Sequence, residues 1–259
     1  MKDPTVFDKA SFDYDQIRPS YPMRLFRDLK RLTGIPDEGS ILEIGCGTGQ
    51  ATFPLATDGY IMTCLDVGEN LLEIARSKGE NYPNVRFIHS SFEEWVPEGE
   101  LFDVVMSATA FHWVKPEIGY TKAAMLLKNL GSIALFWNKH PTPFTGFFID
   151  VQTVYEEVVP EWGNPSNQSV DEWIKDQVGL IEGSSCFNEV VVNRYLWSVS
   201  FSRDEYLRLL DTYSDHGSLD KARKMRLYEG IAELIDEKYD GYVQRPYLSV
   251  LLTARKAIR

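Results

Sequence analysis

The chain has 259 residues, 44% hydrophobic, 13% aromatic and 25% charged, which excludes disordered, collagen-like and disulfide-scaffold classes. With 27 Lys and Arg against 38 Asp and Glu, a net charge of −11 repels phosphate backbones and anionic lipid, so neither nucleic acid nor a membrane is the expected partner. Three cysteines without C-x-x-C spacing make no zinc motif and no disulfide framework, so no metal is expected. The N-terminal residues are too acidic for a signal peptide and no apolar run reaches spanning length, so the expected location is the cytoplasm.

Residues 1–22 are aromatic and polar, broken by Pro19 and Pro22, and read as an arm. Residues 23–33 place Met23, Leu25, Phe26, Leu29 and Leu32 on one side of a helix that Gly34 ends. An alternation follows. Strands are expected at 40–45, 60–67, 85–91, 101–108 and 132–138, and helices at 50–59, 70–80 and 119–131, the last stopped by Gly131. Near-continuous apolar strands separated by helices predict a parallel sheet covered on both faces. After residue 140 the rhythm changes. Helices are expected at 146–160, 169–179, 203–213 and 219–238, and strands at 187–201 and 241–256, with Pro246 marking the start or an edge of the last.

The expected fold is therefore α/β, a doubly wound, mostly parallel seven-stranded sheet of Rossmann-like type. A single domain spans 1–259. It has an arm (1–22), a nucleotide-binding core (23–140), helical insertions over the active edge (141–185 and 202–240), and two late strands (187–201 and 241–256) that complete the sheet.

The most informative segment is Glu43-Ile44-Gly45-Cys46-Gly47-Thr48-Gly49-Gln50, where the first strand turns into the next helix. Open α/β sheets bind ligands at that edge, and glycines let the backbone come close to them. A dinucleotide fingerprint requires Gly or Ala where Gln50 stands, so the pattern is E-x-G-x-G-x-G instead. A Glu43 carboxylate beside the loop disfavours a pyrophosphate and favours a cofactor carrying an amine and a sulfonium. Asp66 lies 17 residues beyond Gly49, near the interval expected for an acid that holds ribose hydroxyls; its alternative role is to cap the following helix.

On these residues the sequence resembles the class I S-adenosylmethionine (SAM)-dependent methyltransferases, in particular the small-molecule branch that includes trans-aconitate methyltransferase. The resemblance covers about residues 5–140. It implies SAM as cofactor and S-adenosylhomocysteine as product, held by Glu43, Gly45, Gly47, Gly49, Asp66 and Val67. Adenine would lie near Ser91 and Phe92, where relatives often carry an acid at the Ser91 position, and Glu93 is either its substitute or a solvated charge. The segment Phe102–Trp113 is similar to the family's fourth strand, with backbone near Ser107 facing the methionine part. The arm resembles one that folds over SAM, which carries Tyr14 and Arg18 into the site, the guanidinium suiting the methionine carboxylate.

Substrate is expected at the strand ends, against Trp113, Trp137 and Lys139. His112 is the catalytic candidate, a general base for a neutral amine or hydroxyl acceptor, with packing as its alternative role. A carboxylate acceptor needs no base. The implied function is methyl transfer to a small molecule, mainly by alignment. The rival readings are an NAD(P)-dependent oxidoreductase on the same fold class and a non-catalytic SAM-binding protein.

Overall fold

The computed structural model describes residues 15–163 and 169–257. The amphipathic run after Pro22 forms α1 (Met23–Thr33), which buries Leu25, Phe26 and Leu29. Met23, expected on the same face, is exposed. Gly34 closes the helix in the left-handed region with its N–H on the Lys30 carbonyl. The alternation that follows is β1 (Ser40–Ile44), α2 (Thr52–Thr57), β2 (Ile61–Asp66), α3 (Glu69–Gly79), β3 (Val85–His89), β4 (Phe102–Ala108), α4 (Pro116–Leu126) and β5 (Leu127–Lys139). The second half adds α5 (Phe147–Val158), α6 (Val170–Gly183), β6 (Phe187–Ser202), α7 (Arg203–Asp211), the single turn α8 (Ser214–Gly217), α9 (Lys221–Lys238) and β7 (Tyr242–Lys256).

Among the described residues the strands form one seven-stranded sheet in the order β3-β2-β1-β4-β5-β7-β6. Strands β1 to β5 run parallel, and β7 lies antiparallel between β5 and β6. Side chains alternate between faces along a strand. Along β1, Ile41 joins a core with α1, α2 and α3, whereas Leu42 and Ile44 join the opposite core with α4 and α6. Both faces are thus covered, as the near-continuous apolar strands predicted. Fully buried Phe26 and Phe136 each contribute about 1.5–3 kcal/mol by leaving water.

Two boundaries differ from the sequence reading. Helix α4 ends at Leu126 rather than Gly131, because buried Leu127 already pairs with Phe102 of β4. Five residues of β5 then span two of β4, a bulge that places Leu130 in the left-handed region. The 141–185 segment also divides. Helix α6 packs Val170, Ile174 and Ile181 into the sheet-face core, so it covers the sheet and not the active edge. Helix α5 instead joins α7, α9 and the near ends of β6 and β7 in a third apolar cluster, through residues such as Phe148, Tyr206, Ile231 and Tyr247. That cluster is a cap beside the carboxyl ends of β1, β4 and β5. Pro246 sits in β7 before its pairing with β5 begins at Leu248, where one flank of the strand has no ladder partner to lose.

Candidate active site

The turn after β1 is built by glycines that no other residue replaces without strain. Gly45, Gly47 and Gly49 have φ of 71°, 56° and 92°. A Cβ on Gly45 would come within 2.3 Å of the Ala110 Cβ, and one on Gly49 within 2.2 Å of the Phe53 ring. Asp66 holds this turn from the end of β2. Its two carboxylate oxygens accept from the N–H of Gly47 (2.7 Å) and of Gly68 (2.8 Å), which ties the loop to the start of α3. The Val67 carbonyl lies 3.0 Å from His89 Nε2, fastening the same edge to β3. Ser107 is fully buried and donates to the Ile44 carbonyl at 2.7 Å, which joins the carboxyl ends of β4 and β1.

Glu43 is fully buried beneath the loop, on the same face of the sheet as its β2 neighbour Cys64. Its Oε2 accepts from Thr52 Oγ1 at 2.5 Å, while Oε1 has no hydrogen-bond partner among the described residues. Burial pushes its pKa up to about 8, against the hydrogen bond from Thr52. At neutral pH the cofactor-free protein therefore holds Glu43 largely protonated. This corrects the electrostatic part of the sequence argument: the charge that selects an amine appears only when an amine arrives. The orphaned oxygen lines a cavity of about 130 Å³ at the loop and is the feature that fits an amine-bearing cofactor.

Arg18 reaches this cavity from the arm. Its guanidinium donates to Thr212 Oγ1 (2.8 Å) and to the Thr212 carbonyl (2.7 Å), and stacks over the Tyr213 ring at 4.4 Å. The arm is held again at Tyr21, whose hydroxyl is 2.6 Å from Thr109 Oγ1 and whose ring meets Phe136 edge-on at 4.8 Å. Tyr14 lies outside the described residues.

A second cavity, of about 510 Å³, opens under the cap with walls of Phe148, Tyr155, Trp162, Tyr206 and Leu210. The two cavities share His140, Tyr213 and Arg245. The His140 Nδ1 lies 2.8 Å from the Pro141 carbonyl, and a carbonyl only accepts, so Nδ1 carries the proton and Nε2 is an acceptor. That Nε2 is buried without a partner. Burial, with a smaller effect from the Arg245 charge, lowers the His140 pKa to about 4 and keeps the ring neutral. The buried side-chain polar atoms without partners are concentrated here: Glu43 Oε1, His140 Nε2, His216 Nδ1, Arg245 Nε and the Tyr247 hydroxyl all line these cavities. Unsatisfied buried polar groups are costly, and their clustering marks where a ligand completes the structure.

Several expected site residues stand elsewhere. His112 is exposed on a 3₁₀ turn (Phe111–Trp113), its Nδ1 accepting from the Trp137 indole at 3.4 Å, and it lines neither cavity. Trp113 stacks beside it at 5.0 Å, and Trp137 is buried in the sheet-face core against Trp173. Of the three substrate candidates only Lys139 lines a cavity, its Nζ 4.5 Å from the Trp173 ring centroid and its pKa lowered by burial. Ser91 is engaged locally, accepting from the Glu94 N–H at 3.2 Å, and the Phe92 ring is core. Glu93 accepts from the Lys115 N–H just ahead of α4 at 3.1 Å, in an exposed hydrogen bond. Arg245 and Tyr247 were missed. Their signal was an Arg-Pro-Tyr step inside an otherwise apolar terminal strand.

A parallel sheet with a glycine turn at its carboxyl edge, an acid after β2 and a capped cavity beside it defines a nucleotide-cofactor enzyme of the Rossmann-like class. Comparison with known proteins makes the class specific. Residues 41–131 match the model of a methyltransferase domain family. Over 250 residues the chain is 25% identical to a malonyl-[acyl-carrier protein] O-methyltransferase of Halalkalibacterium halodurans, covering 90% of this chain and 89% of that one. Among solved structures, a putative methyltransferase from Anabaena variabilis aligns with a TM-score of 0.64 at 14% identity, covering 92% of this chain and 98% of that one. A Haemonchus contortus phosphoethanolamine N-methyltransferase, in complex with phosphomonomethylethanolamine and S-adenosylhomocysteine, aligns with a TM-score of 0.58 at 16% identity, covering 97% of this chain and 58% of that one. These structural likenesses establish the fold. Residues 41–131 are a methyltransferase domain on a class I, Rossmann-like fold, the protein is a SAM-dependent methyltransferase, and SAM is its cofactor.

Proposed function

We propose that the enzyme methylates a small-molecule acceptor bound under the cap, and that a carboxylate oxygen is the acceptor. The observation that carries this reading is the junction at His140, Tyr213 and Arg245, where the ring-lined cavity meets the cavity at the glycine loop. The walls suit a compact organic body, and the volume falls in the range of small-ligand sites. The net charge of −11 and the position of the site beneath a helical cap argue against a nucleic-acid acceptor. Among the described residues no helix is long and apolar enough to cross a membrane.

When bound, SAM supplies an electrophilic methyl group on a sulfonium. Glu43 would receive its amine, Asp66 its ribose hydroxyls, and Gly45 and Gly47 would let the backbone approach it. Arg18, fixed to Thr212, links the arm to the cap, so closing the site orders both together. Alignment of acceptor and methyl in a dry cavity supplies most of the acceleration, of the order of 7–11 kcal/mol for well-oriented groups. Neither a general base nor His112 is required when the acceptor is already anionic. The relative from Halalkalibacterium halodurans is named a malonyl-[acyl-carrier protein] O-methyltransferase, and that name agrees with an oxygen acceptor, there on a carrier protein's malonyl group.

The test is release of S-adenosylhomocysteine from SAM in the presence of matched sets of carboxylic acids, phenols and amines. Turnover confined to acids supports the reading. Turnover confined to amines or phenols overturns the acceptor and returns attention to a base.

A further inference from the structure

We infer that Arg245 is the anion anchor of the acceptor cavity, and that the acceptor is a carboxylate carried on a largely apolar body. The inference rests on the methyltransferase reading and adds the residue that selects the substrate. Arg245 projects from the β7 segment that extends beyond β5 and lines both cavities. Its guanidinium lies among rings, 5.1 Å from the Tyr247 centroid, 5.4 Å from Phe148 and 5.8 Å from Tyr213. Several other arginines meet carboxylates, as Arg86 does with Glu100 and Arg203 with Asp236. Arg245 forms no such pair among the described residues, and its Nε is buried without a partner. The acids that line these cavities are Glu43, which burial keeps largely protonated, and Asp215 on an exposed turn.

Arg245 is half-buried with its Nε fully so, and a guanidinium in that position with no carboxylate partner among the described residues is costly to the folded protein, a cost that a ligand supplying the missing charge offsets. The donor set describes that ligand. Arg245 Nε and the Tyr247 hydroxyl are two buried, unsatisfied groups at the same edge, and a flat carboxylate accepts from both with its two oxygens. In the larger cavity Arg245 is the one Lys or Arg of the lining, with Arg18 and Lys139 in the smaller cavity beside it, so a phosphate monoester there brings nearly twice the charge and a third oxygen against one guanidinium and a ring-lined wall. It would be left under-paired. Beyond the junction Phe148, Tyr155, Trp162 and Leu210 receive the apolar body, while His216 Nδ1, buried without a partner, offers one polar contact on the cap side.

The anchor also accounts for turnover. As the new C–O bond forms and the C–S bond breaks, with its electron pair kept by sulfur, the carboxylate and sulfonium charges cancel. No proton is released. The neutral ester no longer pairs with Arg245, so the product loses the contact that held the substrate.

The experiment is thermal unfolding of the S-adenosylhomocysteine complex with 4-phenylbutyrate, 4-phenylbutanol, 4-phenylbutylamine and the phosphate monoester of the alcohol, and with the matching octanoate series. At about ten times Kd a carboxylate should raise the midpoint by roughly 3–6 °C, with the alcohol, amine and phosphate giving at most a third of that. Arg245→Met should weaken carboxylate binding tenfold or more, read as the further shift that the carboxylate adds to the variant's own S-adenosylhomocysteine complex. Arg245→Lys should retain part of the preference. Because Met removes an unpaired buried charge, the unliganded variant should unfold at or above the wild-type temperature. Equal binding of acid and alcohol in both series, stronger binding of the amine or phosphate, or an Arg245→Met protein that keeps the acid preference would each overturn the proposal. So would an unliganded Arg245→Met midpoint several degrees below wild type, which would make Arg245 a structural cation. Failure of wild type to respond to S-adenosylhomocysteine would strike the cofactor assignment instead, so the two failures are separable.

Discussion

The two cavities are built in opposite ways. The cavity at the glycine loop is assembled chiefly from short-range sequence: Glu43, Gly45, Gly47 and Gly49 fall within seven residues, and Asp66 reaches them from the adjacent parallel strand. The larger cavity, proposed to hold the acceptor, draws on α5, on the turn that includes His216, and on β7, segments up to about a hundred residues apart. The first is specified by backbone conformation, which only glycine supplies. The second is specified by side-chain identity on a scaffold that tolerates many sequences. Changes to the first should therefore remove cofactor binding outright, and changes to the second should alter the acceptor while sparing the cofactor.

The largest expected effect comes from Gly45→Val. A β-branched residue at φ 71° costs about 1–2 kcal/mol in backbone energy alone, and its Cβ would overlap Ala110. S-adenosylhomocysteine affinity should fall at least a hundredfold by calorimetry, with all turnover lost. Retained affinity would show that the loop is less local than the comparison holds.

Filling the cap should do the reverse. Leu210→Trp, placed in the wall of the larger cavity, should raise the acceptor KM about tenfold or more while S-adenosylhomocysteine affinity stays within twofold. Loss of cofactor affinity in that variant would mean that the two cavities are one mechanical unit, with Arg18 and Thr212 as the connection.

A pH titration sharpens the contrast further. Glu43 has its pKa raised from 4.5 to about 8 in the folded protein, so the folded form binds the proton more tightly than the unfolded form. Its contribution to stability is fully present below about pH 4.5 and is lost as pH rises through about 8, with a slope of at most about 1.4 kcal/mol per pH unit. An amine held against Glu43 favours the ionised form. Binding should then release a proton, and affinity should increase from pH 6 to 8 by at most tenfold per unit. Glu43→Gln should flatten both profiles, as followed by chemical denaturation and by calorimetry in buffers of different ionisation enthalpy.

The smallest effect separates the two histidines. His140→Gln should raise the acceptor KM several-fold, because its Nε2 faces the junction, and His112→Gln should change it less. A larger loss of kcat from His112→Gln, with a shifted pH optimum, would restore the base expected from the sequence.

The sheet was legible because parallel strands carry near-continuous apolar runs and the helices before β1 and β2 are followed by glycine, at Gly34 and Gly59. The loop was legible for a related reason: three left-handed glycines after a strand have few alternative explanations. Adenine and substrate positions were less so. Ser91 and His112 stand at the expected places in the chain, but a turn within the Ser91–Glu94 segment and a 3₁₀ turn at Phe111–Trp113 commit their side chains to neighbours. Glu93 likewise meets the Lys115 N–H just ahead of α4, a contact across 22 residues that spacing does not announce. The end of α4 escaped because Gly131 gives the same stop signal as a strand bulge.

The amino-acid sequence by itself determined the class of fold, the cofactor and the edge of the sheet that carries the glycine loop, since each depends on hydrophobic period and on glycine conformations encoded within a few neighbouring residues. Only the tertiary structure decided which groups line the two cavities. Arg245 on β7, His140 after β5 and Tyr213 after α7 converge because an antiparallel last strand returns the chain beneath the cap. Packing then sets their chemistry, leaving Glu43 largely protonated, His140 neutral and Arg245 without a carboxylate partner among the described residues, and packing is a property that no local stretch of sequence contains.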